Sequence, residues 1–283
     1  MMGTFVPRIS IITATFNAAD LLLHTIASIR EQSFREFEWI VMDGNSKDGT
    51  QSVLCDNNDL IAHCISEPDS GIYDAWNKAC VRARGEWLLF LGAGDELATP
   101  HTLAECIKNL EGVSADTTLV YGQYTLLSPV KRINLETSGI PWANMQNKWE
   151  IGRLALPPHG STFHRKSLFV SAQPFDLRFP IAADAHFMLR AIRRHAPVFM
   201  PVVVTLAPMG GISFRLDTAR QVGREIAAIN RDLGLTPPVL VRLHEVLRLS
   251  VISLLNCFPQ KTAHHLADFI RRLSGKPAKW SFD

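Results

Sequence analysis

One carboxylate stands where an α/β sheet could use it in chemistry. Asp95 closes the segment WLLFLGAGD, Trp87–Asp95, and an apolar run bounded by glycines predicts a buried strand. The carboxylate then lies just past the carboxyl end of that strand, where open α/β sheets bind ligands. A hard oxygen ligand there could hold Mg²⁺ or Mn²⁺ against a diphosphate. The alternative is a turn or helix cap, since Glu96 and Pro100 follow. For Asp95 alone, that alternative is favoured.

Two upstream segments change this balance. The first is DGNSKDGT, Asp43–Thr50, which directly follows an apolar stretch. Its glycines allow the backbone to approach a ligand closely, and the Asp43 carboxylate could accept hydrogen bonds from a base or a ribose. A well-capped turn is the alternative. Beside Asp95 on one parallel sheet, we favour ligand binding.

The second segment is SEPDSGIYDAWNK, Ser66–Lys78, which predicts a tight turn that leads into a helix. The N-terminus of a helix favours anions. Asp74 and Lys78 are four residues apart in this helix. They form either a surface ion pair, worth about a few tenths of a kcal/mol, or a pair that faces a nucleotide and its phosphates. Spacing alone leaves both alternatives open.

The elements that must position these residues alternate along the N-terminal part of the chain. β-branched and apolar runs predict strands, and apolar residues at helical spacing predict helices. The predicted strands are Arg8–Thr15, Glu38–Asp43, Ile61–Ser66 and Trp87–Leu91, and the predicted helices are Ala19–Glu31, Thr50–Asn57, Ile72–Ala83 and Pro100–Asn109. This alternation with short connections predicts an α/β fold, with a mostly parallel central sheet flanked by helices.

The remainder of the chain is less regular. Predicted strands are Thr118–Leu127, Val130–Leu135, Gly160–Arg165 and Val198–Thr205, and predicted helices are Ala182–His195, Asp217–Leu233 and one or two more from Val239 onward. From about Thr137 to Pro158 the sequence shows neither helical nor strand periodicity, which predicts an irregular segment. A loop of that length in a compact domain is usually functional or disordered.

Composition excludes several classes of protein. The 283 residues are 47% hydrophobic and 20% charged, as in an ordinary globular protein. A net charge of +2 gives no case for nucleic-acid binding. The five cysteines form no CxxC pair, which fits free thiols in a reducing compartment. The segment before the first strand is too short for a signal peptide, and no stretch reaches the roughly 20 apolar residues that span a bilayer. We therefore expect a cytoplasmic protein.

Four ordered segments resemble the family 2 glycosyltransferases, and most of all the branch that builds bacterial exopolysaccharide, colanic-acid and O-antigen chains. The segments are SIITATFN (Ser10–Asn17), EWIVMDGNSKDGT (Glu38–Thr50), SEPDSGIYDAWNKA (Ser66–Ala79) and GEWLLFLGAGDEL (Gly85–Leu97). The resemblance implies a GT-A fold with strand order 3-2-1-4. The order reverses between strands one and four, which would place a nucleotide over Thr13–Phe16 and Gly92–Asp95.

The resemblance also implies roles for single residues. Thr13 and Asp43 would contact the base and the ribose, with Asp74 and Lys78 nearby on the nucleotide. Asp95 matches the last acid of the family's DXD motif, whose first acid is absent here because the motif is Gly92-Ala93-Gly94-Asp95. One protein carboxylate would then hold Mg²⁺ or Mn²⁺, with diphosphate oxygens, water and a histidine completing the coordination.

Two further residues lie downstream. Asp184, in AADAHFMLR, aligns with the family's catalytic base, which takes the proton of an acceptor hydroxyl. A carboxylate favoured by the helix dipole is the alternative. His159, in PHGSTFHR, would contact the diphosphate or the metal. A core or loop histidine is almost equally compatible with that segment.

The resemblance implies a GT-A domain over residues 1–235, with a nucleotide-binding half (1–110) and an acceptor half (111–235), and a helical extension over 236–283. Within this extension, Val239–Phe258 is apolar and basic residues follow it. That pattern suits a helix lying in a membrane interface beside anionic headgroups, at the inner face of the cell membrane. A helix packed on the domain is equally compatible.

The implied activity is inverting, metal-dependent transfer of the hexosyltransferase type in surface polysaccharide synthesis. The donor would be a nucleoside diphosphate sugar, with UDP as the default and GDP or dTDP open, and the acceptor a glycan or lipid-linked glycan. A non-catalytic nucleotide-sugar-binding or scaffold protein is the alternative, which the missing first acid favours slightly. A sugar-1-phosphate nucleotidyltransferase is disfavoured, because Thr15–Ala19 is not the Gly- and Arg-rich loop that such an enzyme needs.

Overall fold

A computed structural model describes residues 6–129, 131–171, 173–211, 215–273, 275 and 280. The strands are β1 (Ile9–Thr15), β2 (Phe37–Asp43), β3 (His63–Ser66), β4 (Trp87–Phe90), β5 (Glu96–Leu97), β6 (Leu119–Leu127), β7 (Asn134–Ser138), β8 (Trp149–Glu150), β9 (Arg153–Leu154), β10 (Thr162–Arg165) and β11 (Val198–Pro208). The helices are α1 (Ala19–Arg30), α2 (Thr50–Asp56), α3 (Ile72–Cys80), α4 (Thr102–Glu111), α5 (Ala183–Ile192), α6 (Ala219–Asp232), α7 (Val239–Leu255) and α8 (Gln260–Leu273).

The central sheet has the order β3-β2-β1-β4-β10-β6-β11-β5, with β7 paired to β6. β1 lies parallel to both β2 and β4, and β2 lies parallel to β3. This confirms the predicted order 3-2-1-4. Parallel neighbours require crossover connections, and α1, α2 and α3 provide them. Beyond β4 the sheet is mixed, because β10 runs antiparallel to both β4 and β6.

Both faces of the parallel strands are covered, which explains their nearly continuous apolar sequences. On one face, Ile11 and Leu89 lie in a core cluster with residues of α1 and α4. Because neighbouring residues of a strand point to opposite faces, Phe90 lies on the other side of the sheet. There its ring centroid is 4.8 Å from that of Trp76, in α3.

The strand predicted near Val130–Leu135 begins later, as β7. The backbone N–H of Arg132 donates to the Ser128 carbonyl at 3.0 Å, and the Ser128 N–H donates to the Ile133 carbonyl at 2.9 Å. Arg132 adopts a φ of 50° in this turn. The tight turn therefore occupies residues that the sequence pattern assigned to the strand. Val130 itself lies outside the described residues.

The chain divides into two compact units. Unit 1 contains residues up to Thr125, Ser138–Met145 and Leu156–Ala207, and unit 2 contains Leu126–Thr137, Gln146–Ala155 and the chain from Pro208 onward. In unit 2, α6, α7 and α8 surround a small core cluster that includes Leu216, Ile252 and Leu255. The predicted division at residue 235 stays a prediction. None of the described helices has the length and apolar character to cross a membrane.

Candidate active site

Asp95 lies in unit 1, in the loop that leaves the carboxyl end of β4. Its Oδ2 accepts the backbone N–H of Gly92 at 3.1 Å. The buried Thr25, in α1, fixes the loop from below: its hydroxyl donates to the Asp95 carbonyl at 2.8 Å and accepts the Gly94 N–H at 2.9 Å. A Cβ at Gly92 would lie 3.0 Å from Asp95 Oδ2. A side chain at position 92 would therefore crowd the carboxylate, which the Gly92 N–H and Thr25 hold in place.

The Asp95 carboxyl group is partly buried and forms no ion pair with a described residue. Burial raises its pKa to about 6, and the Gly92 N–H opposes this shift only in part. A divalent cation would favour the charged form and reverse the cost of burial. Among the described residues, no group of three or more His, Cys, Asp or Glu side chains could hold a metal. The donor set thus fits a metal that takes one protein carboxylate and its remaining ligands from substrate and water.

Tyr124, in β6, is a neighbour of Asp95 that the sequence pattern did not indicate. A Cβ at Gly160 would lie 2.8 Å from Tyr124 Cε2 and 3.9 Å from Asp95 Oδ2, so these three residues converge. Burial, and then the Asp95 charge, raise the pKa of Tyr124 well above its ordinary value. The hydroxyl therefore remains protonated at neutral pH, as a hydrogen-bond donor close to the carboxylate.

Asp43 lies at the carboxyl end of β2, where the sequence predicted it. The side chain is only 1% exposed. Its carboxylate accepts the Ser46 N–H at 3.1 Å, the Ser46 hydroxyl, and the Ser66 hydroxyl at 2.5 Å. These bonds tie the loop after β2 to the end of β3. The contact predicted between Asp43 and a ribose or base stays a prediction, because the carboxylate here is already occupied.

Thr13 and Phe16 occupy opposite environments at the end of β1. Thr13 is fully buried, and its hydroxyl accepts the Trp39 indole N–H at 3.0 Å. Its predicted contact with a base stays a prediction. Phe16, by contrast, is 64% exposed. A Cβ at Gly44 would lie 3.2 Å from the Phe16 ring and 2.9 Å from the Asp69 carboxylate, so both side chains flank the backbone just after β2.

Asp74 and Lys78 form the ion pair that was one of the two alternatives. Lys78 Nζ lies 3.4 Å from Asp74 Oδ2 and 2.9 Å from Glu67 Oε1. Asp74 also accepts the Ser70 N–H, which is the main reason that its pKa is lowered. The Glu67 hydrogen bond in turn raises the pKa of Lys78. Lys78 therefore stays charged between two carboxylates, and the predicted contacts of Asp74 and Lys78 with a nucleotide stay predictions.

Asp184 lies in the first turn of α5. The Tyr73 hydroxyl oxygen, from α3, lies 2.9 Å from Asp184 Oδ1 and 2.7 Å from the Ile181 carbonyl oxygen, so its single proton is shared between these two acceptors. Tyr73 is 6% exposed, and the sequence pattern did not single it out. This contact fixes the start of α5 against α3 and gives the Asp184 carboxylate a defined orientation.

His159 connects the surroundings of Asp184 and Asp95. Its ring stacks on Trp76 with centroids 5.0 Å apart, and the Trp76 ring lies 5.3 Å from that of Tyr73. The next residue, Gly160, contacts the Asp95 region as described above. A continuous set of packed side chains therefore joins the two acids within unit 1.

The His159 imidazole is neutral, because burial lowers its pKa to about 3. Its Nε2 is buried and has no hydrogen-bond partner among the described residues. A neutral imidazole cannot act as a cation for a diphosphate, whereas a free ring nitrogen is the form that binds a metal. The ring packs against Trp76, Phe90 and His164, and its predicted contact with the diphosphate or the metal stays a prediction.

Residues 10–169 match the family described as Glycosyl transferase family 2. The chain belongs to this family. The match covers β1 through β10, and so includes Asp43, Asp95 and His159, but it ends before Asp184. A Mycobacterium bovis relative, named as a PGL/p-HBAD biosynthesis glycosyltransferase, is 33% identical over 218 residues, 73% of this chain and 79% of the relative. The protein is accordingly a glycosyltransferase.

Solved structures of similar fold extend over most of this family 2 chain. The mannosyltransferase PcManGT from Pyrobaculum calidifontis, in complex with GDP-Man and Mn²⁺, has a TM-score of 0.61 at 19% identity, covering 96% of this chain and 81% of the other. S. aureus TarS in complex with UDP has a TM-score of 0.60 at 17% identity, covering 94% and 72%. In a second structure, of S. aureus TarS 1–349, the chain spans 65% of the other chain. The predicted GT-A fold is confirmed.

Proposed function

We propose that this family 2 glycosyltransferase uses a nucleoside diphosphate sugar and a divalent metal, and that it inverts the anomeric centre. The observation that carries the proposal is the lone Asp95 carboxylate, fixed past β4 where the strand order reverses. Open α/β sheets bind ligands at that position. The UDP in the TarS complex and the GDP-Man and Mn²⁺ in the PcManGT complex support the same choice of ligands. UDP is our first choice for the nucleotide.

Asp95 is the residue that would hold Mg²⁺ or Mn²⁺, and the unpartnered Nε2 of His159 is a second candidate ligand. A metal at this position supplies Lewis-acid stabilisation of the leaving diphosphate. The chain's own contribution is to fix the carboxylate through Gly92 and Thr25 before any ligand arrives. Because the carboxylate is already held, little ordering is required when the donor binds.

The base of the nucleotide would lie on the exposed Phe16 ring, beside Gly44 and Asp69. An aromatic side chain that is 64% exposed, directly after a core strand, offers a flat apolar surface. Asp43 supports this site by holding the adjacent loop against Ser66. In this arrangement Asp43, Asp74 and Lys78 act on the nucleotide through the loops and the helix that they stabilise.

Asp184 would take the proton from the attacking hydroxyl of the acceptor. In a single displacement the hydroxyl oxygen bonds to the anomeric carbon as the bond to the diphosphate breaks, so no nucleophile of the enzyme is needed. The hydrogen bond from Tyr73 orients the carboxylate for this step. We propose a glycan or lipid-linked glycan as the acceptor, in surface polysaccharide synthesis of the exopolysaccharide, colanic-acid or O-antigen type.

The decisive experiment is release of nucleoside diphosphate from a panel of UDP-, GDP- and dTDP-sugars, with Mn²⁺ and with a chelator. We expect release from one nucleotide class that stops when the metal is removed. Tight binding of a nucleotide sugar without turnover, over a panel of glycan acceptors, would instead favour a non-catalytic binding protein. The absent first acid of the metal motif is the observation that favours this second candidate.

A further inference from the structure

Helix α7, in unit 2, exposes a stripe of leucines. Leu240, Leu243, Leu247 and Leu254 follow one another at spacings of three, four and seven residues, which places them on one face of a helix. Each is between 60% and 79% exposed. The opposite side of α7 carries Ile252, which packs into the core cluster of unit 2. The stripe therefore points away from the packed side of its own helix.

Helix α8 repeats this arrangement. Leu266, Phe269, Ile270 and Leu273 lie on one face, and Phe269 and Leu273 are 60% and 74% exposed. Its packed side is formed by the small residues Ala263 and Ala267. Single exposed apolar residues are ordinary on a protein surface, but two successive helices with this pattern are characteristic of an interaction surface. We call these two stripes the C-terminal apolar surface.

Within the helices that carry the C-terminal apolar surface, the exposed charges are positive; outside them, the half-exposed Glu136 lies 4.0 Å from Arg271. Residues 239–273, which the structure describes without a gap, contain two acids. Glu245 is paired with Arg248 at 2.6 Å and is 14% exposed, and Asp268 is 2% exposed and accepts the Trp280 N–H at 2.9 Å. The exposed cations Arg242, Lys261 and Arg272 form no ion pair with a described residue.

We propose that α7 and α8 lie on a bilayer that contains anionic lipids. The apolar stripes would sit at the boundary of headgroups and acyl chains, with Arg242, Lys261 and Arg272 beside lipid phosphates. An anionic membrane supplies apolar contact and negative charge together. A second copy of the chain would bring these cations against their own equivalents, which is unfavourable. This inference goes beyond the proposed function and does not depend on it.

The test uses the full chain and sedimentation with vesicles. One set contains phosphatidylcholine alone, and the other adds about 30% phosphatidylglycerol to supply negative surface charge. We expect binding to the anionic vesicles to be roughly 10- to 100-fold tighter, since about three cations contribute. About 1 M salt should reduce this preference, because it shortens the range of electrostatic attraction.

Two double variants separate the apolar contribution to vesicle binding from the electrostatic one. Leu247→Gln with Phe269→Gln should weaken binding to anionic vesicles by at least about 10-fold. The matched control is Leu23→Gln, which changes a 51% exposed leucine of α1 in unit 1 and should bind as the unmodified chain does. Lys261→Glu with Arg272→Glu should abolish the preference for anionic over neutral vesicles. Lys108→Glu, on the exposed side of α4, is its control.

Every outcome bears on the proposal. Failure of the unmodified chain to bind either vesicle overturns it, as does unchanged binding in both double variants. Another outcome is that the unmodified chain is a dimer that binds no vesicles. If the double variant Leu247→Gln with Phe269→Gln is then a monomer, the surface binds a second copy of the chain and the membrane proposal is wrong. Release of nucleoside diphosphate in solution, measured in parallel, should not change in these variants. A failure of the proposed activity is thereby separated from a failure of membrane binding.

Discussion

Two carboxylates in unit 1 lie at the carboxyl ends of parallel strands, and they differ in the number of hydrogen bonds that they accept. Asp43, after β2, accepts two hydroxyls and a backbone N–H. Asp95, after β4, accepts a single hydrogen bond from the residues that the structure describes, from the Gly92 N–H, and its pKa is raised to about 6. Both satisfy the rule that ligands bind beyond the carboxyl ends of strands. The position of an acid in the sequence thus predicts that it lies at the ligand-binding edge of the sheet. Whether its carboxylate is available to a metal depends on how many hydrogen bonds it already accepts.

The largest effect should come from Asp95→Asn. We expect release of nucleoside diphosphate to fall by about 10³-fold, equivalent to about 4 kcal/mol in the activation barrier, because the neutral amide is a poor ligand for a divalent metal. Mn²⁺ should raise the unfolding temperature of the unmodified chain but not that of the variant. Activity retained within about threefold would remove Asp95 from metal binding.

Asp184→Asn should cut turnover by about 10²- to 10³-fold with little change in KM for the donor, since it removes the proposed proton acceptor. Asp176→Asn is the control, because this nearby carboxylate is paired with Arg178 at 2.7 Å. Equal turnover in the Asp184 variant and its control would mean that Asp184 only stabilises the N-terminus of α5 and does not accept the proton.

Replacing Asp by Asn should change the free energy of unfolding in opposite directions at Asp43 and Asp95. Asp43→Asn replaces an acceptor for Ser46 and Ser66 and should lower the free energy of unfolding by about 1–3 kcal/mol. Asp95→Asn removes a buried charge and should raise it at pH 7 by about 1–3 kcal/mol in metal-free protein. Denaturant titration measures both. Destabilisation by both variants would remove the distinction that we draw between the two acids.

The pH dependence has a defined sign for Asp95. Its pKa is about 6 in the folded protein against an ordinary value of 3.8, so the folded state binds this proton more tightly than the unfolded state. The contribution of Asp95 to the free energy of unfolding is therefore largest below pH 4 and is lost as the pH rises towards 6. The difference between the unmodified chain and Asp95→Asn should open over this interval, and a difference that is constant with pH would contradict the raised pKa.

The sequence predicted the parallel half of the fold well, because strands such as β1 and β4 are buried on both faces and their apolar runs are unambiguous. It did not predict that β10 would enter beside β4, since that pairing joins residues such as Phe163 and Leu89, which are distant in the chain. The sequence pattern also did not predict which side chains form hydrogen bonds with each other. Thr13 is engaged by Trp39, and Tyr73 reaches Asp184 from another helix.

A smaller effect is expected at the proposed base site. Phe16→Ala should raise KM for the donor about fivefold while leaving stability nearly unchanged, because the ring is 64% exposed and a stacking contact contributes about 1 kcal/mol. Val81→Ala, at a side chain 70% exposed on the same unit, should change neither. A loss of stability in the Phe16 variant would show that the ring supports the loop after β2 rather than a ligand.

The smallest effect should follow Tyr73→Phe, which removes a single hydroxyl from the contact with Asp184. We expect a loss of turnover of about 3- to 10-fold, in line with one hydrogen bond of about 1 kcal/mol. A structural role alone would lower turnover equally at every pH. A positioning role predicts more, because the hydrogen bond from Tyr73 favours the charged form of the Asp184 carboxylate. Its loss should move the acidic limb of the pH–rate profile to higher pH, whereas an unmoved limb would mean that the hydroxyl proton is held by the Ile181 carbonyl instead.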